Sequence, residues 1–138
     1  MSRSGYSDDI DNWAFIKWRG QVASAIRGKR GQALLHDLAS AMDAMPDKVL
    51  ISNALQQEGA YCALGAVGAK RGIDLKCIDP YDQEQVSKSF DVAIALACEI
   101  MFINDEEAWT PETPEQRWKR VRAWVAEQLL GDDGKEEK

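Results

Sequence analysis

A chain of 138 residues with 45% hydrophobic residues is long enough to bury a core without disulfide or metal staples, and it suits one compact domain. Its three cysteines, Cys62, Cys77 and Cys98, are odd in number and widely spaced, which excludes a disulfide framework and a C-x-x-C zinc half-site and leaves reduced, mostly buried thiols as the expectation. The net charge of −6 is unevenly spread: Arg3, Lys17, Arg19, Arg27, Lys29 and Arg30 face only Asp8, Asp9 and Asp11 before residue 33, so a basic end stands on an acidic body.

The segment Ser2 to Ser7 is expected to be flexible, with Tyr6 able to dock. It is followed by acids rather than an apolar run, so it does not read as a secretory signal, and a cytoplasmic location is expected. Ser7 or Asp11 can cap a first helix from about Asn12 to Arg27, with Asp8, Asp9 and Asp11 placed where the helix dipole favours negative charge. Trp13, Ile16, Gly20, Ala23 and Ile26 recur at three- and four-residue steps and are expected to form its buried face. A second helix, from about Gln32 to Met45, would bury Leu34, Leu35, Leu38, Met42 and Met45 and stop before Pro46. Between them lies Ile26-Arg27-Gly28-Lys29-Arg30-Gly31-Gln32. Two glycines three apart weaken a helix by about 1 kcal/mol each and admit positive φ, so the chain should turn here into a helical hairpin that displays Arg27, Lys29 and Arg30 at its tip.

Residues 48–62 admit two readings. Val49-Leu50-Ile51 and Ala60-Tyr61-Cys62 can pair as short strands around the Glu58-Gly59 turn, or a helix can run from Asp47 through Gln57. Strand or irregular structure over Val49 to Ser52, followed by a helical turn, is the favoured one. Cys62 to Gly72 reads as a helix whose small residues let a neighbour approach, with Gly72 as its C-cap. The Gly65-x-x-Gly68 spacing lacks the strand and third glycine of a phosphate loop. Ile73 to Tyr81 should be a loop, Asp82 to Lys88 a short polar helix, and Phe90 to Ile103 a central helix apolar on most of its circumference. Phe90, Ile94, Leu96, Ile100 and Ile103 are its expected core residues. The apolar run Val92 to Cys98 falls far short of the roughly 20 residues a membrane span needs. Thr113-Pro114-Glu115-Gln116 carries a capping box with proline at the first helical position, opening a last helix that buries Trp118, Val121, Val125 and Leu129, leaves Lys119, Arg120 and Arg122 in water, and stops at Gly131. The fold class is thus mainly α: a single-domain helical bundle of about five helices over 1–131, with a short two-stranded β-hairpin near residues 49–62 and a charged, frayed tail at 132–138.

The motifs Ser4-Gly5-Tyr6-Ser7-Asp8-Asp9, Trp18-Arg19-Gly20-Gln21-Val22 through Arg27-Gly28-Lys29-Arg30-Gly31-Gln32, Cys62-Ala63-Leu64-Gly65-Ala66-Val67-Gly68 and Asn104-Asp105-Glu106 span nearly the whole chain. In their order the sequence resembles a family of uncharacterised small proteins encoded by bacteriophages and prophages. The resemblance implies a setting, the interior of a bacterial host cell, and no activity.

Candidate chemistry is sparse. The only histidine, His36, and Cys62 could form a nucleophilic pair if folding joined them, which would make a small cysteine-dependent enzyme. Asp8, Asp9, Asp11 and Asn104, Asp105, Glu106, Glu107 lack the spacing of a calcium loop and read as helix caps and a solvated loop, so neither metal nor cofactor is expected. Trp13, Trp18, Trp118 and Trp124 read as core. The best candidates for a binding surface are Arg19, Arg27, Lys29 and Arg30, with Lys70 and Arg71 as a second basic pair. The tip is similar in outline to helix-hairpin-helix DNA binders, but Lys29-Arg30 stand where those need an apolar residue. From setting, size and the lack of an assembled catalytic set, the leading expectation is a non-catalytic accessory protein that binds a host or defence-system macromolecule, an inhibitor of bacterial immunity being its most specific form. A nucleic-acid-binding module using the basic tip is the alternative.

Overall fold

In the computed structural model of the protein, residues 3–5, 12–106 and 111–130 are described. They form six α-helices, α1 (Asn12–Arg27), α2 (Lys29–Ala44), α3 (Ala63–Arg71), α4 (Gln83–Phe90), α5 (Ile94–Asp105) and α6 (Pro114–Gln128), and one antiparallel hairpin of β1 (Gln56–Gln57) and β2 (Ala60–Tyr61). The mainly helical class with a small hairpin is as expected. No helix among the described residues is long and apolar enough to cross a membrane. Asp8, Asp9, Asp11, Tyr6, Glu107, Gly131 and the tail, for which caps, a docked ring, a helix stop and fraying are expected, lie outside the described residues.

The basic joint breaks the chain where expected, by a different device. Gly28 is extended (φ −74°, ψ 165°), and α2 begins at once with Lys29. Neither Gly28 nor Gly31 takes positive φ. Gly31 instead lies buried in the first turn of α2, where the two helices touch. Gln32 then ties three elements: its Nε2 donates to Ile26 O (2.7 Å) and Gln128 O (3.1 Å), and its Oε1 accepts from Leu130 N (2.9 Å).

α1 is rotated away from the expected face. Val22 is buried, with Trp18, Ala25 and Ile26 packed against the core, while Trp13, Ile16 and Gly20 point to solvent. The helix carries two apolar stripes, and tertiary contacts select between them: α5 lies against the Val22 side, where Arg19 forks onto the buried carboxylate of Glu99 (2.7 and 3.2 Å) and fixes the rotation. α2 buries Leu34, Leu35, Leu38 and Met42 as expected.

The Glu58-Gly59 turn has positive φ at both residues (52° and 83°), the geometry of a two-residue hairpin turn. The strand opposite Ala60-Tyr61 is Gln56-Gln57, not Val49–Ile51, although Ile51 N does donate to Tyr61 O at 3.0 Å. In α3, a Cβ at Gly65 would stand 1.8 Å from Leu55 O and one at Gly68 2.5 Å from Leu75 Cδ2, so both glycines permit close packing; Gly72 (φ 76°) caps the helix.

The expected helix from Phe90 to Ile103 is two helices. Phe90 closes α4, Asp91 turns into the left-handed region (φ 55°), and α5 starts at Ile94. Ile94 falls outside the core at 38% exposure, whereas Phe90, Leu96, Ile100 and Ile103 are buried. α5 is the central helix, buried from Ala95 to Met101. α6 opens with the complete Thr113–Gln116 capping box and buries Val121 and Val125, with Trp118, Trp124 and Leu129 packed at the core's edge. Arg120 and Arg122 do not simply face water: Arg120 forks onto Glu112 and donates to Ile103 O, and Arg122 forks onto Asp43.

Residues 3–5 depart from the expected flexible segment. Arg3 and Ser4 are inside the protein at 1% and 2% exposure. Asn104 and Asp105, expected in a solvated loop, form the end of α5 and are engaged there.

Candidate partner-binding surface

Arg27, Lys29 and Arg30 are exposed together where α1 meets α2. Arg30 reaches Asp91 at 3.2 Å, but both side chains are largely in water, so that pair holds the guanidinium weakly. The other candidate cations serve different purposes. Arg19 is committed to Glu99, although 43% of its side chain remains exposed. Arg71 turns inward, with Nε 2.7 Å from Asp37 Oδ2 and Nη1 donating to Phe90 O at 2.9 Å, so it braces the negative C-terminal end of α4 rather than joining a second basic surface. Lys70 is exposed beside Ser40, Ala41 and Ala44, at the end of α2 remote from the tip.

The outward face of α1 supplies what the basic residues alone lack. Trp13 is 71% exposed and Ile16 60%, and Gly20 and Arg27 continue the same line at helical spacing. At Gly20 an added Cβ would meet nothing within 4 Å. Beside the line, a shallow hollow between α1 and the start of α5 is lined by Gln21, Ser24, Ala25, Ala93, Ile94 and Ala95. It shares Ala25 and Ala93 with a second hollow at Gly28, Lys29, Arg30 and Gly31, so the apolar face leads into the basic tip. α1 contains Lys17, Arg19 and Arg27 and no acidic residue. Large exposed apolar side chains grouped on one helix face mark interaction surfaces more often than scattered single ones.

The thiol alternative is not assembled in the same way. Cys62 caps α3, its sulfur accepting from Gly65 N at 3.3 Å, and is fully buried, whereas His36 is exposed on α2 and no hydrogen bond joins the two. Cys98 is also buried, and burial pushes its thiol up to about 11. Cys77 is the exposed exception to the expected burial; its thiol donates to Asp74 at 3.2 Å, and that hydrogen bond, with the adjacent negative charge, raises its pKa. Among the described residues no group of His, Cys, Asp and Glu is placed to hold a metal ion.

Comparison of the chain with protein families, with curated proteins and with solved structures finds no match. Two features of the surface escape sequence reading: the outward rotation of Trp13 and Ile16, and the hollow at Ala93–Ile94, which lies just after the chain break at Asp91. The left-handed aspartate is the one local signal, since Asp tolerates that conformation better than most residues.

Proposed function

We propose that the protein is a non-catalytic, phage-derived accessory factor that binds a protein of the bacterial host or its defence system, and that it does so through the outward face of α1 and the adjoining basic tip. The observation that carries this reading is the exposure of Trp13 and Ile16 on a helix with no acidic residue, in line with Arg27. Such a face suits an acidic, amphipathic segment: apolar side chains cover Trp13 and Ile16, and carboxylates meet Lys17, Arg27 and Lys29. Aromatic and arginine side chains are the residues on which binding energy concentrates at protein interfaces. The setting comes from the phage and prophage resemblance, and an inhibitory effect on bacterial immunity is the corresponding biological role.

The test begins with a pull-down from infected or lysogenic cells and continues with the purified partner. Binding should fall by about tenfold or more with Trp13→Ala combined with Ile16→Ala, and again with Arg27→Glu combined with Lys29→Glu, while Lys70→Glu leaves it unchanged. A partner insensitive to both double variants would overturn the reading.

The joint exposure of Arg27, Lys29 and Arg30 favours one second reading, nucleic-acid binding at the tip. The acidic remainder of the chain opposes a broad footprint on phosphates. Gel shifts at low salt with single- and double-stranded DNA and RNA separate the two: tight binding abolished by Arg27→Glu with Lys29→Glu, with a salt slope reduced by about 1 per lost phosphate contact, would replace the protein partner with a nucleic acid.

A further inference from the structure

The turn at Arg3, Ser4 and Gly5 is held as a bound peptide is held, by side chains from remote parts of the chain. The Arg3 guanidinium forks onto Asp105, Nε to Oδ2 at 2.6 Å and Nη2 to Oδ1 at 2.9 Å, and its Nη1 donates to Cys62 Sγ at 3.6 Å. Ser4 Oγ donates to Glu106 Oε2 at 2.7 Å. Gln83 of α4 grips the backbone, its Nε2 donating to the carbonyls of Arg3 (3.3 Å) and Ser4 (3.1 Å). Gly5 has φ +77°, and a Cβ there would lie 2.5 Å from Gln83 Nε2. Each of the three residues is therefore read by a different property: a planar fork of donors, a hydroxyl, and the absence of a side chain.

Two of the receiving groups, Asp105 and Cys62, are also held by the rest of the fold, Cys62 Sγ accepting from Gly65 N at 3.3 Å. Asp105 Oδ1 also accepts from Asn53 N (3.0 Å) and Asn104 Nδ2 (2.8 Å). Asn104 is in turn held by Ala63 N (3.0 Å) and Ile51 O (2.9 Å). With Arg3 in place only 1% of the Asp105 side chain is exposed, and without the guanidinium the carboxylate would have no cation beside it among the described contacts. Leaving a buried carboxylate in that state is strongly unfavourable, so the socket favours a guanidinium over water, and a bidentate fork over the single point charge of an ammonium.

We propose that Asp105, Glu106, Gln83 and Cys62 form an arginine-binding socket that reads the tripeptide Arg-Ser-Gly, occupied in cis by residues 3–5 and able to take the same tripeptide in trans when the cis arginine is removed. The site makes the Arg3–Gly5 turn a releasable clasp. It is separate from the α1 surface and does not depend on what that surface binds. Because the tethered segment has the advantage of a high effective concentration, an added peptide cannot compete with it in the unaltered chain.

The experiment uses the full chain carrying Arg3→Ala, with the peptide Ser-Arg-Ser-Gly-Tyr-Ser as probe and thermal unfolding and calorimetric titration as readouts. The variant should melt lower than the unaltered chain, and the peptide should raise its Tm saturably while leaving the unaltered chain unmoved. A peptide with lysine in place of arginine should bind about tenfold or more weakly, and Asp105→Asn added to Arg3→Ala should abolish the effect. A folded Arg3→Ala chain that ignores the peptide, or that binds the arginine and lysine peptides equally, overturns the proposal. If Arg3→Ala gives no cooperative melt, the titration is made on Arg3→Lys and on the refolding yield of Arg3→Ala with and without peptide. Recovery by the arginine peptide alone then supports the socket, and no recovery overturns it.

Discussion

Gly31 of α2 sits against the carbonyl of Ala25 of α1 so closely that a Cβ on Gly31 would lie 1.9 Å from that oxygen and 3.1 Å from Leu96 Cδ2. The hairpin is closed by this contact, which positions the basic tip and lets α5 reach α1. Gly20, eleven residues earlier, stands in open space in the middle of α1. The same substitution should therefore have opposite signs. Gly31→Ala should destabilise by about 2 kcal/mol or more, because backbone and a core leucine must both move. Gly20→Ala should stabilise by about 0.5–1 kcal/mol through helix propensity alone. Urea melts of the two variants check this, and equal signs would mean that the hairpin closes some other way.

The last helix depends on its cap. Thr113 Oγ1 accepts from Gln116 N at 3.1 Å, and Gln116 Oε1 accepts from Thr113 N at 2.8 Å. Thr113→Ala should cost about 0.5–2 kcal/mol in denaturant melts, since an amide of the first turn loses its acceptor, whereas Thr113→Gly should cost only a few tenths.

Acid should loosen the link between the segment before α6 and the end of α5. The hydrogen bond from Arg120 holds the Glu112 carboxyl below its usual range, and Arg122 does the same for Asp43. A lowered folded pKa means that the unfolded chain binds protons first. The stabilisation is complete above the ordinary carboxyl value of about 4 and disappears as the pH falls through the folded value. Glu112→Gln should therefore be less stable than the unaltered chain at neutral pH, with the gap closing below about pH 4. A gap that stays constant from pH 7 to pH 3, followed by thermal melts, would remove Glu112 from the acid response.

Thiol chemistry should single out Cys77. Cys62 and Cys98 are buried and Cys77 is exposed, so a thiol reagent should modify one cysteine rapidly in the native protein and all three in denaturant. Because Asp74 raises the Cys77 pKa, the native rate at neutral pH should be slow for an exposed thiol, rise with pH, and increase on Asp74→Asn. Mass spectrometry of the labelled native chain identifies the residue; rapid labelling of Cys62 would mean that its burial behind Arg3 is transient.

The elements legible in the residues are those whose causes lie within a turn or two of the chain. The capping box at Thr113–Gln116, the left-handed cap at Gly72, the hairpin turn at Glu58-Gly59 and the small-residue packing of α3 all follow from neighbours a few positions apart, and so does the mainly helical class. The basic tip at Arg27, Lys29 and Arg30 was legible for the same reason. What lies between distant segments was not. α1 carries two apolar stripes, and periodicity alone cannot rank them; the pairing of Arg19 with Glu99, eighty positions away, together with the packing of Val22, turns Trp13 and Ile16 outward. Arg3 looks like one cation in a polar opening segment until folding brings Asp105, 102 positions distant, beside it. Helix propensity and capping act locally and can be read from short spacings, but the choice of which face to bury and which charges to pair is made by desolvation and packing against partners that only the completed fold assembles.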